Sequence, residues 1–228
     1  AQGFYPLRVH RFGGVAALSA ARFELARGEV HALMGENGAG KSTLARILAG
    51  SIPADGGEIL LEGQAISPAN PLDAQRLGIG IVYQELDLFP HLTVGENLVI
   101  GNLRFEEGAL VDRQAIDAFC RPFLRQVGLN VDTGAWAASL SIAQQQLLVI
   151  ARALSMHCRV LLMDEPTSAL SEDAAERLFE LMALLKSEGV SIVYVSHKMD
   201  EIFRLCDRVT VLRDGETIGT RDVAATDR

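Results

Sequence analysis

The sequence predicts an α/β fold in which a mostly parallel sheet carries helices on its faces. Two observations support this prediction. From position 157 onward, short apolar runs alternate with amphipathic helical segments, as in parallel strands joined by crossover helices. Nearer the N-terminus, the apolar run 30–34 leads into a glycine-rich loop and then into Leu44, Ile47 and Leu48 at helical spacing. A strand, a tight loop and a helix in succession form the repeating unit of such a sheet.

The elements can be placed in order along the chain. Strands are predicted at 22–25, 30–34, 58–62, 79–83, 160–163, 190–195, 208–212 and 217–220, and helices at 172–187 and 200–206. Between positions 93 and 156 the pattern is mostly helical. We interpret the chain as one domain over 1–228. Segments 1–86 and 157–228 would form the core with an antiparallel β subdomain, and 87–156 an inserted helical subdomain.

The length and net charge of the chain exclude some classes of protein. A chain of 228 residues suits one large domain, and its formal net charge of −8 argues against a broad nucleic-acid-binding surface. No uninterrupted apolar stretch is long enough to span a bilayer, and we expect no secretory leader. Cys120, Cys158 and Cys206 have no metal-binding spacing, so we expect reduced thiols.

The loop after the first long strand has the pattern Gly-x-x-x-x-Gly-Lys-Ser. Its residues are Gly35, Asn37, Gly38, Ala39, Gly40, Lys41, Ser42 and Thr43, with Glu36 at the second position. Glycines let the backbone wrap closely around oxygens, and the following helix directs its N–H groups and positive dipole end at the same point. Lys41 would reach the β- and γ-phosphates, and the Ser42 hydroxyl would ligate Mg²⁺. The loop therefore predicts binding of a nucleoside triphosphate.

A pair of carboxylates follows the buried strand predicted at 160–163. Asp164 and Glu165 would lie at the carboxyl end of a parallel strand, where such sheets bind ligands. With a phosphate loop nearby, Asp164 is placed to hold Mg²⁺ and Glu165 to face the attacking water. An ordinary acidic turn at a strand end is the alternative.

Several further segments resemble the ABC-transporter ATPases. The run 140–146, Leu-Ser-Ile-Ala-Gln-Gln-Gln, is similar to their Leu-Ser-Gly-Gly-Gln signature, and 164–170 is similar to their Walker B and D-loop run. His197 looks like the switch histidine and Gln84 like the Q-loop glutamine. These motifs stand in the family's order and cover nearly the whole chain. The resemblance implies a RecA-like P-loop NTPase core.

The resemblance also implies residue roles. ATP would lie between the glycine loop of one cassette and the signature of a second, contacted in trans by Ser141, Ile142, Ala143 and Gln144. Glu165 would polarise the water, His197 would contact the γ-phosphate, and Gln84 would sense Mg²⁺ and couple to the membrane partner. Phe12 occupies the place of the aromatic that stacks on adenine, and Tyr5 is a weaker candidate for that role. Two signature glycines are replaced, and the methyl of Ala143 lies where glycine lets phosphate approach closely.

Within the family, the motifs are most similar to the first cassette of ribose-, galactose- and xylose-type importer ATPases. The resemblance implies ATP and Mg²⁺ as ligands. It implies transmembrane permease subunits and a second cassette as partners, with an extracytoplasmic solute-binding protein acting indirectly. It also implies a peripheral location at the cytoplasmic face of the inner membrane. We expect permease docking around 86–99, with Phe89 as an apolar anchor, although Phe89 and Leu92 could equally be core residues.

Other functions remain compatible with parts of the sequence. Importer ATPases for autoinducers or nucleosides share these motifs. A soluble ABC ATPase acting on ribosomes or DNA would usually carry a basic linker or a coiled-coil insertion. A P-loop kinase or GTPase would need an acceptor pocket or an Asn-Lys-x-Asp segment, and the latter is absent from the sequence.

Overall fold

A computed structural model describes residues 4–5, 18–100 and 112–226. Its strands in chain order are β1 (Phe4–Tyr5), β2 (Leu25–Ala26), β3 (Val30–Met34), β4 (Ile59–Leu61), β5 (Gln64–Ile66), β6 (Ile79–Val82), β7 (Val160–Asp164), β8 (Ser191–Val195), β9 (Arg208–Arg213) and β10 (Glu216–Asp222). Its helices are α1 (Lys41–Leu48), α2 (Pro71–Arg76), α3 (Val94–Val99), α4 (Arg113–Gln126), α5 (Ile142–Ser155), α6 (Glu172–Ser187) and α7 (Met199–Leu205).

A six-stranded sheet with the order β10-β9-β3-β8-β7-β6 forms the centre of the structure. The neighbouring strands from β9 to β6 are parallel, and β10 pairs antiparallel with β9. Strand pairs β1–β2 and β4–β5 are antiparallel and lie outside this sheet. The predicted α/β class with a mostly parallel sheet is therefore confirmed. The division into a core and a helical subdomain at 87–156 stays a prediction.

The central strands are buried on both faces because helices cover both sides of the sheet. All five residues of β7 and all five of β8 are buried. Along β7, Leu161 and Met163 pack in one hydrophobic cluster with α5 and α6, whereas Leu162 packs in the other with α1. This alternation explains why the strands read as continuous apolar runs instead of alternating with polar residues.

Local signals set where the helices begin. Thr93 and Glu96 form a reciprocal capping box at the start of α3, and Ser141 and Gln144 form another at the start of α5. Asn70 caps α2, whose first residue is Pro71, so the missing proline N–H removes no helical bond. Helices α3, α4 and α5 pack on one another in the helical part of the chain.

Some sequence predictions differ from the structure in detail. The strand predicted at 22–25 is wrong for its first three residues, since the strand β2 begins at Leu25. The main chain of Arg22 bonds instead to the Thr217 hydroxyl, which accepts from the Arg22 amide at 2.8 Å and donates to its carbonyl at 2.8 Å. The Thr217 side chain thus takes the hydrogen bonds that the Arg22 main chain would make to a neighbouring strand. Helix α2 and strand β5 were not predicted.

The three cysteines are free and buried, as expected for reduced thiols. Burial raises the pKa of each thiol to about 12, so all three are protonated at neutral pH. Within residues 18–100 and 112–226, no helix has both the length and the apolar character needed to cross a membrane.

A buried polar cluster lies at the start of β3. The Glu29 carboxylate is 3.3 Å from the ring of His31 and 3.5 Å from the guanidinium of Arg208. On its other side, the His31 ring bonds to the Thr210 hydroxyl at 2.8 Å, so the cluster ties β3 to β9. Burial by itself would raise the pKa of Glu29, but the neighbouring His31, the Ala26 amide and Arg208 hold that pKa below its usual value.

We expect Glu29→Gln to lower the free energy of unfolding at pH 7 by about 1–3 kcal/mol, since buried donors lose a charged acceptor. A depressed folded-state pKa gives stability that is present above the ordinary pKa of glutamate, about 4.3, and lost as pH falls through the folded value. The difference between the variant and the wild type should therefore shrink below about pH 4.3. Urea unfolding at several pH values measures it, with the exposed Glu58→Gln as control. A difference that is independent of pH would contradict this account.

Candidate functional site

The predicted nucleotide-binding and catalytic residues that follow β3, β6, β7 and β8 lie at one edge of the sheet. Strands β3, β6, β7 and β8 are parallel, so their carboxyl ends point the same way. In the register, Val195 pairs with Leu33 on one side and with Asp164 on the other. The glycine loop follows β3, Gln84 follows β6, Asp164 ends β7 and His197 follows β8. This is the edge at which open α/β sheets bind ligands.

The glycine loop adopts a conformation that its glycines make possible. Gly38 and Gly40 have φ values of +85° and +100°, in the left-handed region where side chains are strained. At Gly35 the limit is space, because a Cβ atom there would lie 2.2 Å from the carbonyl oxygen of Leu212. The loop therefore packs directly against the backbone of β9.

The turn between β9 and β10 supports the same loop. The amide of Gly215 donates to the carbonyl of Ala39 at 3.1 Å, and the Ala39 amide donates to the carbonyl of Glu36 at 3.1 Å. Ala39 itself is buried. The sequence predicts strands at 208–212 and 217–220 with a connection between them, but nothing in the pattern indicates that this connection supports the phosphate loop.

Lys41 is the first residue of α1 and is buried at 6% exposure. Its ammonium donates to the carbonyls of Gly35 and Glu36 at 2.8 and 2.9 Å, so it is held across the loop. A lysine ammonium and the free N–H groups at the start of an eight-residue helix concentrate positive charge at one point. This arrangement suits a polyphosphate.

Ser42 and Asp164 come together beside the loop. The Ser42 hydroxyl donates to Oδ1 of Asp164 at 3.1 Å. Asp164 is only 3% exposed, and its burial, with the nearby charge of Glu165, raises its pKa above the usual value despite the bond from Ser42. In the described part of the chain, no group of three or more His, Cys, Asp or Glu side chains is arranged to hold a metal ion.

The oxygen atoms of Ser42 and Asp164 nevertheless suit Mg²⁺ as ligands. A carboxylate and a hydroxyl are hard oxygen ligands, and Mg²⁺ is usually held by one or two protein groups together with phosphate oxygens. Among the residues that the structure describes, Arg46 and Lys41 act on the Asp164 carboxylate by charge but form no ion pair with it, and a bound divalent ion would supply a cation in direct contact.

Glu165 and His197 form the second contact pair of the site. Oε1 of Glu165 lies 3.0 Å from Nδ1 of His197, with side-chain exposures of 19% and 55%. Glu165 has a φ of +48°, unusual for a residue with a side chain, and its amide donates to the carbonyl of Val195 at 3.0 Å. The main chain is thus turned sharply at the end of β7, and such strain is often found at functional residues.

The signature segment, residues 141–144, lies at the N-terminus of α5. Ser141 accepts from the Gln144 amide at 3.3 Å and Gln144 accepts from the Ser141 amide at 3.0 Å, while Ile142 is 52% exposed. Among the residues that the structure describes, no hydrogen bond joins this segment to the glycine loop. Ser141 and Ile142 are exposed at this end of the helix.

Three contacts around the site were missed by sequence reasoning. Gln146 in α5 donates to the carbonyl of Pro166 at 2.7 Å, which ties α5 to the segment after the carboxylate pair. Arg152 in the same helix donates at 2.7 Å to the carbonyl of Asp87, three residues after Gln84 in the sequence. The signal for both was a polar side chain on the apolar face of an amphipathic helix.

Asn97 is the third missed residue. It is fully buried in α3, where its amide oxygen accepts from the Phe89 amide at 2.8 Å. Its nitrogen donates to the carbonyls of Phe89, Leu92 and Thr93 at 2.9, 3.3 and 3.0 Å.

For the other residues predicted to bind nucleotide or the permease, the structure gives mainly their exposure. Gln84 is exposed just beyond β6. Phe12 lies outside the described residues, and Tyr5 is described only as backbone in β1. Phe89 is 46% exposed, so the interpretation of Phe89 as a core residue is wrong, whereas Leu92 is partly buried.

Comparisons with known proteins agree with the motifs. The family model for ABC transporters matches residues 18–168. The chain is 52% identical over 217 residues to the ribose import ATP-binding protein of Chromobacterium violaceum, covering 95% of this chain and 43% of that protein. It is 48% identical over 216 residues to a putative ribose/galactose/methyl galactoside import ATP-binding protein of Burkholderia ambifaria, covering 95% of this chain and 42% of that protein. The chain therefore spans less than half the length of these relatives.

Solved structures show the same fold. A nucleotide-free ATP-binding cassette from an ABC transporter superposes with a TM-score of 0.83 at 25% identity, covering 96% of this chain and 90% of that one. A dimeric bacterial ABC transporter cassette superposes with a TM-score of 0.78 at 26% identity, covering 96% and 97% of the two chains. The match to the family model and the identity to these relatives confirm the resemblance seen in the sequence. This chain belongs to the ABC transporter family.

Proposed function

We propose that this chain binds and hydrolyses ATP, and that the hydrolysis powers import of a monosaccharide by an ABC transporter. The observation that carries the proposal is the meeting of a phosphate loop, a carboxylate–hydroxyl pair and a carboxylate–histidine pair at one edge of the sheet. Family membership and the names of its relatives as ribose or galactose import proteins support it.

In this proposal the glycine loop and Lys41 bind the triphosphate. The amides of the loop and of the first turn of α1 donate to phosphate oxygens, and the ammonium of Lys41 moves from the Gly35 and Glu36 carbonyls to the β- and γ-phosphates. Ser42 and Asp164, with Gln84, would hold the Mg²⁺ that accompanies ATP. This ion neutralises phosphate charge.

Hydrolysis is assigned to Glu165 and His197. The Glu165 carboxylate accepts a hydrogen bond from the attacking water and orients it in line with the γ-phosphate. His197, held against Glu165 at 3.0 Å, presents its other ring nitrogen to the γ-phosphate and its developing charge.

A complete site requires a second cassette. Ser141 and Ile142 are exposed at the start of α5, and the Ser141 hydroxyl and the amides that follow it would contact the γ-phosphate bound by the facing cassette. A solved structural neighbour of this chain is a dimeric cassette, and the longer relatives leave room for a second cassette in the same chain. We propose that either arrangement completes the site.

The permease would dock on the surface that follows Gln84. Within residues 86–99, Val94, Asn97 and Leu98 are buried, so the docking surface would be the exposed part around Phe89. Asn97 bonds to the main chain of Phe89 and holds it in place. Docking there would place the cassette peripherally at the cytoplasmic face of the membrane. A solute-binding protein outside the cell would act on the permease and not on this chain.

We expect Glu165→Gln to keep ATP binding and to lower the hydrolysis rate by about 10²–10³, because only the activation of water is lost. The rate is measured as phosphate release over a range of protein concentrations, beside a sizing column run with Mg·ATP. The exposed Glu180→Gln serves as the control. A wild-type hydrolysis rate in Glu165→Gln would show that Glu165 does not activate the water.

Asp164→Asn should make the nucleotide-free chain more stable while weakening its response to Mg·ATP. A raised folded-state pKa means that the ionised carboxylate opposes folding above the ordinary aspartate pKa of about 3.9. We expect the melting temperature to rise by about 2–4 °C, the shift that 1 kcal/mol produces in a domain of this size. The gain should vanish as pH falls toward 3.9. Thermal unfolding with and without Mg·ATP tests both effects, with Asp173→Asn as control, and a less stable variant would contradict them.

Phe89→Asp should reduce transport by a reconstituted complex at least about tenfold while the isolated chain still binds ATP, since a charge replaces an apolar anchor. Ile218→Asp introduces the same charge at a 54% exposed position on β10, away from the docking surface, and should leave transport unchanged. Solute uptake into proteoliposomes measures the outcome. Full uptake by the Phe89 variant would show that the permease docks elsewhere.

A further inference from the structure

The carboxylate of Glu201, in the first turn of α7, receives donors from four side chains. Tyr194 donates its hydroxyl to Oε2 at 2.6 Å, Thr167 donates to Oε1 at 2.8 Å, Lys198 donates to Oε1 at 3.1 Å, and Ser196 donates to Oε2 at 3.3 Å. Lys198 also donates to the Thr167 hydroxyl at 3.1 Å. Few groups in the described part of the chain gather so many side-chain contacts.

These donors come from the two segments that carry the carboxylate–histidine pair. Thr167 lies two residues after Glu165, and Ser196 and Lys198 lie on either side of His197. A single carboxylate therefore spans both segments. The backbone bond from Glu165 to Val195 joins the same two segments at the sheet edge, and Glu201 joins them again through Thr167 and Ser196.

The cluster is mostly shielded from water. Tyr194, Ser196 and Thr167 are buried, and the side chain of Glu201 is 13% exposed. Burial would raise the pKa of Glu201, but the bonds from Tyr194, Thr167 and Lys198 outweigh burial and hold the pKa below its usual value. Burial and the Glu201 charge together raise the pKa of Tyr194. The carboxylate is thus ionised and the tyrosine protonated, which makes these bonds charge-assisted and sensitive to geometry.

Helix capping does not explain the position of Glu201. A glutamate at the third position of a helix often bonds back to the amide of the cap residue. Here the cap residue is Lys198, and its amide donates to the Ser196 hydroxyl at 3.1 Å instead. The Glu201 side chain is left to face Thr167 across the gap between the two segments.

We propose that Glu201 is a positioning residue that clamps residues 166–170 to residues 196–198 and so fixes the distance between Glu165 and His197. The inference rests on the proposed ATP hydrolysis for its kinetic consequence, but the clamp itself is a property of the folded chain. Because Gln146 of α5 bonds to Pro166, the clamp also connects the signature helix to His197.

Hydrogen exchange tests the clamp without any assay of activity. In Glu201→Gln, backbone amides in peptides covering 166–170 and 196–198 should exchange about tenfold faster, since a charge-assisted network is lost. Peptides from α4 and β4 should not change. Glu180→Gln, which removes an exposed carboxylate from α6, should behave as the wild type. Unchanged exchange in both target segments, or faster exchange across the whole chain, would overturn the clamp.

Kinetics test its consequence. Glu201→Gln should lower kcat for ATP hydrolysis about tenfold while the KM and the Kd for Mg·ATP stay within about twofold, because the phosphate loop is untouched. Thr167→Val should give the same split, and Thr167→Ser, which keeps the hydroxyl, should restore kcat. The double variant Glu201→Gln, Thr167→Val should be no slower than the slower single variant.

The outcomes separate this inference from the function on which it rests. If the wild type neither binds nor hydrolyses ATP at any protein concentration, the proposed function fails. In that case, or if the wild type binds ATP without hydrolysing it, the exchange data alone decide on the clamp. If the wild type is active and Glu201→Gln has wild-type kcat, or loses binding and turnover together, the positioning role is wrong.

Discussion

The parallel register of β3, β8, β7 and β6 is the constraint on which the candidate site depends. Because Val195 pairs with both Leu33 and Asp164, β3, β8 and β7 end level with one another and the loops that follow them start side by side. A shift of this register would separate Lys41 and Ser42 from the carboxylates and from His197, although the residues themselves would be unchanged. Two hydrophobic clusters, one on each face of the sheet, hold the register because every residue of β7 and β8 is buried.

The site concentrates features that oppose folding. Asp164 carries a buried carboxylate, Glu165 has a left-handed backbone conformation, and the glycine loop packs against the Leu212 carbonyl with no room for a side chain. The rest of the molecule follows the local rules closely, with capped helices and apolar strands. Such a contrast is expected because strained residues tend to cluster at functional sites, while the rest of the fold supplies the stability.

Much of the fold and of the candidate site could be predicted from the sequence. The predictable parts follow from the spacing of apolar residues and from motifs whose residues are close in the chain. The glycine loop and the carboxylate pair involve residues close in the chain, and parallel strands bring their ends together without further information. The polar side chains of Gln146 and Arg152 on an apolar helix face signal buried contacts, but their partners Pro166 and Asp87 could not be predicted, since only packing brings these residues together. The strand expected at 22–25 failed for the same reason, because the Thr217 hydroxyl lies far away in sequence.

Asn97 has a consequence for association. Its amide makes four hydrogen bonds to the main chain of residues 89–93, so the loop beneath Phe89 has little conformational freedom before any contact is made. Ordering a mobile loop upon association costs entropy and weakens binding. In the docking proposed here, the partner would meet a surface whose shape is already set, so little entropy would be lost in ordering the loop and a small interface could still be selective.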